Sequence, residues 1–222
     1  MRINILQHTP SEGPGSIQTW ADNNGHEAYI YHPAQFGKLP SADQTDMLVI
    51  LGGPMSPNDD FLWIKQEREL IKELLKEDKP MYGACFGAQQ IAKCLGANIT
   101  KAAHKEVGWA EVAKIGDTLV DFPEKAMALH WHEEMFELPQ GAELIFSSKL
   151  HQNQGFIYGK HVMGLQFHFE PLTRDVRTMV INDGDYTLDH NDLKQSPQEI
   201  MDHGVPSENA GLMAKLLDQI TK

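Results

Sequence analysis

Four short apolar runs in the first 84 residues, Ile3–Leu6, Ala28–Tyr31, Met47–Leu51 and Pro80–Ala84, alternate with stretches of helical period or loop character. Strands joined through helices pair in parallel, by a crossover of right-handed sense. The clearest crossover is FLWIKQERELIKELLKEDK, residues 61–79. Its apolar positions Leu62, Ile64, Leu70, Ile71, Leu74 and Leu75 follow helical spacing, charges fill the other face, and Pro80 ends it. This alternation predicts an α/β fold with a mostly parallel central sheet.

From about residue 99 the pattern turns β-rich: TKAAHKEVGWAEVAKIGD, KAMALHWH, ELIFSS, GFIYG and KHVMGLQFHF follow one another without helices between them. Such a succession predicts a small antiparallel extension of the sheet. After Pro171 the chain becomes helical and polar. Residues 182–208 read as an acidic connector, and NAGLMAKLLDQI as an amphipathic helix that docks on the core. No linker or composition shift divides the chain, so residues 1–222 are expected to form one domain with a helical C-terminal segment, 172–222.

Charge and cysteine usage exclude several functions. Lys and Arg total 19 against 31 Asp and Glu, a net charge of −12, and no basic cluster offsets it. Nucleic acid is therefore not an expected partner. MRINILQHTP lacks the apolar run and cleavage site of a secretory signal, and no apolar stretch is long enough to span a bilayer. Two cysteines, Cys85 and Cys94, argue against a disulfide framework. A cytoplasmic location and no membrane partner are expected.

One of those cysteines sits in MYGACFGAQQ, with Cys85 between Gly83 and Gly87. Strand, G-x-C-x-G turn and helix together make the geometry of a nucleophile elbow. Glycines on either side remove side chains that would collide with the neighbouring strand or helix. The following helix, read as Ala88–Leu95, points its positive end at the sulfur and favours the thiolate. The N–H of Phe86 would face a developing oxyanion. A small buried cysteine in a glycine-rich turn would look the same, so a base and an orienting group are needed to choose.

GLQFHFEP, residues 164–171, supplies both. His168 ends a strand-like run, where α/β sheets place their chemistry, and alternation puts Glu170 on the same side. A carboxylate there can hold the imidazole tautomer that deprotonates Cys85. At the end of the third strand, LGGPMSP (51–57) leaves a backbone N–H, that of Gly53, free to bind an anion. Taken alone, GGP is a plain turn.

GGP, G-A-C-F-G-A-Q and QFH-x-E, in this order and spacing, resemble the class I glutamine amidotransferase domain over about residues 1–180. EVGW at 106–109 and HWHEEMFELPQGA at 130–142 are similar to the amidotransferase half of GMP synthase. The resemblance implies a flavodoxin-like three-layer sandwich and a Cys-His-Glu triad that attacks the side-chain amide of glutamine. A γ-glutamyl thioester forms, ammonia leaves and water releases glutamate. Carried over by motif, Cys85 is the nucleophile, His168 the base and acid, and Glu170 the orienter. Gly53 and Phe86 supply oxyanion N–H groups, while Gly52, Gln89 and His132 bind substrate. No metal and no cofactor are implied. Phe169 departs from the pattern, which has proline there, and its loss predicts a looser His168–Glu170 turn.

Other signals are set aside. EGPGSIQ (12–18) lacks the third glycine of a dinucleotide loop and reads as a strand-to-helix turn. NDGDYTLDHND (182–192) lacks the glycine position and late glutamate of a calcium loop and reads as solvated. His130 and His132 have zinc-ligand spacing, but eleven histidines make chance pairs common. Cys94 reads as a packed small hydrophobe. Family members that make a product pass ammonia to a synthase, and these 222 residues contain no synthase or nucleotide motif. Three readings stay open: a hydrolase of other γ-glutamyl compounds, a non-catalytic binding or regulatory subunit, and a glutaminase that serves a separate ammonia-accepting synthase.

Overall fold

The four apolar runs become parallel neighbours, and every loop that carries a singled-out residue emerges from the carboxyl end of one of these strands or of their partner. A computed structural model describes residues 1–222. The chain runs β1 (Arg2–Leu6), α1 (Ser16–Asn23), β2 (Glu27–Tyr31), α2 (Pro33–Phe36), β3 (Met47–Ile50), α3 (Leu62–Lys76), β4 (Met81–Ala84) and α4 (Phe86–Cys94). It continues through β5 (Ile99–Lys114), β6 (Lys125–Phe136), β7 (Ala142–Ser148), β8 (Gly155–Tyr158) and β9 (Val162–Leu165). Three helices follow: α5 (Thr173–Asp183), α6 (Pro197–His203) and α7 (Asn209–Thr221).

All nine strands form one sheet in the order β2-β1-β3-β4-β9-β8-β7-β5-β6. β2, β1, β3, β4 and β9 pair in parallel, and β9, β8, β7, β5 and β6 pair antiparallel. The fold is α/β with a mixed sheet, parallel at one end. Its antiparallel part spans as many pairings as the parallel part, more than a small extension.

The parallel strands are apolar on both faces because both are covered. Ile3, Ile5, Met47 and Val49 pack with Ile17 and Trp20 of α1 and Leu216 and Leu217 of α7. Leu48, Ile50 and Met81 turn to the other side, against Leu70, Ile71 and Leu74 of α3 and Ile91 of α4. The result is the three-layer sandwich. The order 2-1-3-4 places the switch in strand order between β1 and β3, the position where such sheets open a ligand crevice. A smaller core joins Val107, Trp109, Leu129 and Trp131 of β5 and β6 to α5 and Ile200 of α6.

The acidic connector is not the solvated loop expected of residues 182–192. Asn191 accepts the N–H of Val107 (3.1 Å) and donates to its carbonyl (2.8 Å), and Gln195 does the same at Trp109 (2.8 and 2.7 Å). Asp192 N–H donates to the Lys105 carbonyl at 2.9 Å. Two side-chain amides thus stand in for an edge strand along β5, which satisfies backbone groups that would otherwise be left open.

Candidate active site

Between β4 and α4 the chain reverses in one residue. Cys85 has φ 49° and ψ −109°, a conformation that costs a non-glycine residue about 1–3 kcal/mol. Its neighbours make that turn possible. A methyl on Gly83 would stand 2.5 Å from the Gly87 carbonyl carbon, and one on Gly87 2.0 Å from the Ile50 oxygen. The elbow is anchored at both ends, Cys85 N–H to the Leu165 carbonyl (2.8 Å) and Gln89 N–H to the Cys85 carbonyl (3.0 Å). α4 begins at Phe86, two residues ahead of the expected Ala88, and the N–H groups of its first turn have no partner within the helix.

His168 and Glu170 follow β9. Imidazole Nδ1 lies 2.6 Å from Glu170 Oε1, and both residues are buried. The backbone of His168 exchanges hydrogen bonds with Leu129 (2.8 and 3.2 Å), and the Glu170 carbonyl accepts the N–H of Ser16 (2.8 Å). Packing stands where the stiffness of proline is missing. The Phe169 ring is 1 % exposed and meets Phe167 at 4.9 Å and Phe122 at 6.1 Å, so packing on the opposite face fixes the turn that proline would have stiffened. Burial pushes the His168 imidazole down, but the charge of Glu170 and the contact with Cys85 outweigh it and hold its pKa well above the ordinary value. An imidazolium is therefore favoured opposite the sulfur.

Gly53, Cys85, Gln89 and His132 line one cleft of about 400 Å³. Phe86, His168 and Glu170 are buried beside it, as is Gly52. Gln89 spends its amide on the Glu134 carbonyl (3.0 Å) and Gln166 Oε1 (3.2 Å), and Gln166 Nε2 lies 3.6 Å from Cys85 Sγ. His8 supports the GGP loop: one ring nitrogen is 2.9 Å from Glu67, the other is 3.2 Å from the Leu51 carbonyl, and the ring meets Phe86 edge-on at 4.8 Å.

His130 and His132 are no chance pair. His130 Nδ1 and His132 Nε2 lie 3.3 and 3.0 Å from one oxygen of buried Glu106, from the EVGW segment. These three could ligate a metal, their ligand atoms lying within 4.8 Å of one another. Glu106 is already engaged, however, by Gln154 Nε2 (2.6 Å) and the Ser148 hydroxyl (3.0 Å). Burial alone would raise the Glu106 carboxyl, but the close imidazoles of His130 and His132 hold it below the usual range. Burial lowers His132 to about 4, so at pH 7 the ring is neutral. All four imidazole nitrogens of His130 and His132 are without a hydrogen-bond partner, so the cluster keeps the donor set of a metal site beside its close carboxylate–imidazole contacts.

Several neighbours escaped the sequence reading. Gln166 stands just before the FH pair and Glu106 within EVGW, so a motif pointed at both without assigning a role. Glu12 lies in EGPGSIQ, which indeed forms the turn into α1, yet also lines the cleft. His8 and Glu67 are 59 residues apart, with no local signal linking them. Cys94 packs separately, and burial pushes its thiol up to about 12.

A family model for glutamine amidotransferase class-I matches residues 22–184. The chain is 29% identical to the glutamine amidotransferase-like protein YfeJ of Salmonella typhimurium, over 77% of this chain and 76% of that one. It is 32% identical to a glutamine-hydrolyzing GMP synthase subunit of Thermoplasma volcanium, over 58% of this chain and 64% of the relative. With γ-glutamyl peptidase 3 of Arabidopsis thaliana it shares 30% identity, over 61% and 59%. The crystal structure of a glutamine amidotransferase from Thermotoga maritima superposes with a TM-score of 0.89 at 28% identity, covering 99% of this chain and 97% of that one. No helix is long and apolar enough to cross a membrane.

Proposed function

Since the chain belongs to the class I glutamine amidotransferase family, we propose that it hydrolyses γ-glutamyl amides through a Cys85–His168–Glu170 triad. One observation carries this reading: a cysteine held at φ 49° on a strand-to-helix turn lines a cleft, and buried beside it stands a histidine whose Nδ1 lies 2.6 Å from a carboxylate oxygen. His168 takes the thiol proton, and sulfur attacks the γ-carbonyl carbon. The carbonyl π pair moves onto oxygen, where the N–H groups of Gly53 and Phe86 receive the charge. On collapse the C–N bond breaks, His168 protonates the leaving nitrogen, and a γ-glutamyl thioester remains. Water then gives a proton to His168 and adds to the thioester; the C–S bond breaks, glutamate leaves, and the thiol recovers its proton. Glu170 orients His168 throughout, and Gly52, Gln89 and His132 form the wall for the γ-glutamyl half.

Glutamine is the simplest substrate, and its ammonia would pass to a separate acceptor enzyme. Similarity to a GMP synthase subunit supports that arrangement. A second reading, hydrolysis of larger γ-glutamyl compounds, is favoured by the cleft itself, which at about 400 Å³, with Asp183 and Tyr186 also in its lining, has room for more than ammonia as leaving group. Glutamate release from glutamine and from a γ-glutamyl dipeptide, with Cys85→Ser alongside, tests both. Turnover that vanishes in the variant is expected. No turnover, together with no adduct on Cys85 from a glutamine-analogue electrophile, would sink the reading.

A further inference from the structure

The cleft around Cys85 is one-sided in charge. Glu12, Asp59, Glu133, Glu134 and Asp183 line it, and no lysine or arginine does. Most of these carboxylates are engaged. Asp59 accepts the Ser56 N–H and Glu134 the Ser56 hydroxyl, both at 3.0 Å, while Glu133 faces Lys101 at 3.8 Å. Asp183 accepts the Trp131 indole N–H at 2.9 Å through one oxygen and keeps the other. Lys105, the base at the Tyr186 end, lies over that ring at 3.4 Å. The Glu12 carboxylate has no such partner.

Its position is specific. A methyl built on Gly52 would fall 2.0 Å from Glu12 Oε2 and 3.1 Å from His168 Cε1, so glycine there lets the carboxylate stand against the imidazole. Burial raises the Glu12 carboxyl above its ordinary value, with His168 and His8 pulling the other way. No lysine or arginine lines the cleft beside it. The positive charge set against it is the His168 imidazolium, which is lost when His168 gives its proton to the leaving nitrogen. A cation on the leaving group would then compensate a half-buried carboxylate.

A separate observation points to the same ligand. His168 Nε2, opposite the Glu170-bound nitrogen, is buried and has no hydrogen-bond partner. This atom is the one that would protonate the leaving nitrogen. Glu12, set against His168 across Gly52, therefore borders the leaving amine, and Asp183 lines the same cleft. In the reading above the γ-glutamyl half lies against Gln89 and His132.

We infer that the cleft selects γ-glutamyl amides whose leaving amine carries a second, positively charged amino group, a diamine or polyamine, received by Glu12 with Asp183. This rests on the γ-glutamyl hydrolase reading above. The bond broken is the same amide C–N; water supplies the carboxyl oxygen of glutamate, and the diamine leaves with the proton from His168.

The test uses three amides with a common γ-glutamyl half and equal chain length: those of 1,4-diaminobutane, butylamine and 4-aminobutanoate. Because the α-ammonium is common to all, only the distal charge varies. Glutamate release gives kcat/KM for each. The diamine amide is expected to exceed the butylamine amide by about tenfold or more, the scale of one charge-assisted hydrogen bond, with the anionic amide last. Glu12→Gln should bring the diamine-to-butylamine ratio toward one, Glu12→Asp should keep part of it, and Asp183→Asn should lower it less. If Glu12→Gln does not fold, Glu12→Asp and Asp183→Asn still read the ratio. Equal rates on the diamine and butylamine amides, or a ratio indifferent to all three variants, would overturn the inference while leaving the hydrolase standing. Hydrolysis of none, with no adduct on Cys85, would overturn both.

Discussion

Gly87→Ala and Gly211→Ala make the same chemical change in two helices and should have opposite effects. Ordinarily alanine improves a helix by up to about 1 kcal/mol over glycine. At Gly211 in α7 nothing lies within 4 Å of the added methyl, so that gain should be realised in part. At Gly87 the methyl meets the Ile50 carbonyl oxygen at 2.0 Å, its carbon at 2.6 Å and the Ile50 Cβ at 2.9 Å. Backbone of a central strand cannot turn aside as a flexible side chain would, so α4 must move off β3. Overpacking of this kind costs about 1–3 kcal/mol, and contact with backbone puts it near the top of that range. Less the helix gain, Gly87→Ala should be destabilising by about 2 kcal/mol. For a chain of this size that lowers Tm by roughly 4–8 °C, whereas Gly211→Ala should raise it by roughly 1–4 °C. Calorimetry on both variants measures the pair, and electrophile labelling of Cys85 reports whether the elbow moved, which should slow only in Gly87→Ala. Should Gly87→Ala match or exceed the parent in Tm, the close approach of α4 to β3 is not what requires glycine there.

Glu170→Gln should move the alkaline limb of kcat/KM to lower pH. Burial pushes His168 down, and the charge of Glu170 is the largest influence raising it. Because the folded pKa is raised, the stability it contributes is present below the ordinary histidine value and lost as pH rises through the folded one. Urea unfolding at pH 6 should therefore separate variant from parent more than unfolding at pH 10. His132 has the opposite sign. With a folded pKa of about 4, it contributes stability above about 6.5 that is lost as pH falls toward 4, by about 3 kcal/mol at most. In His132→Gln that stretch of the stability–pH curve should flatten; an unchanged slope would refute it. Phe169→Pro restores the usual family residue but removes a ring packed on Phe167 and Phe122. It should cost about 3 kcal/mol by chemical denaturation, and a more stable variant would show that proline stiffness outweighs packing here.

The motifs legible in the sequence are those whose chemistry lives within a few residues. Cys85 between two glycines is readable because one turn sets the geometry: the clashes at Gly83 and Gly87 come from the next helix residues and the adjacent strand. His168 and Glu170 are readable because they stand two residues apart just past β9, close enough in the chain for their side chains to meet at 2.6 Å. The parallel strands and α3 follow from apolar period for the same reason. Tertiary structure decided the rest. Phe169 stands in place of proline with its ring packed on nearby Phe167 and on Phe122, which is distant in sequence. Spacing alone did not show that His130 and His132 meet a carboxylate; Glu106, brought opposite by β5–β6 pairing, is what they meet. The connector at 188–196 has the composition of a solvated loop, and only an open stretch of β5 gives its amides backbone to bind. Glu12 stands against His168 because β1 and β3 are neighbours in the sheet, so their following loops open onto the same crevice. Local sequence sets which chemistry a residue can perform; the sheet order, fixed by burial of both strand faces, sets which of those residues meet.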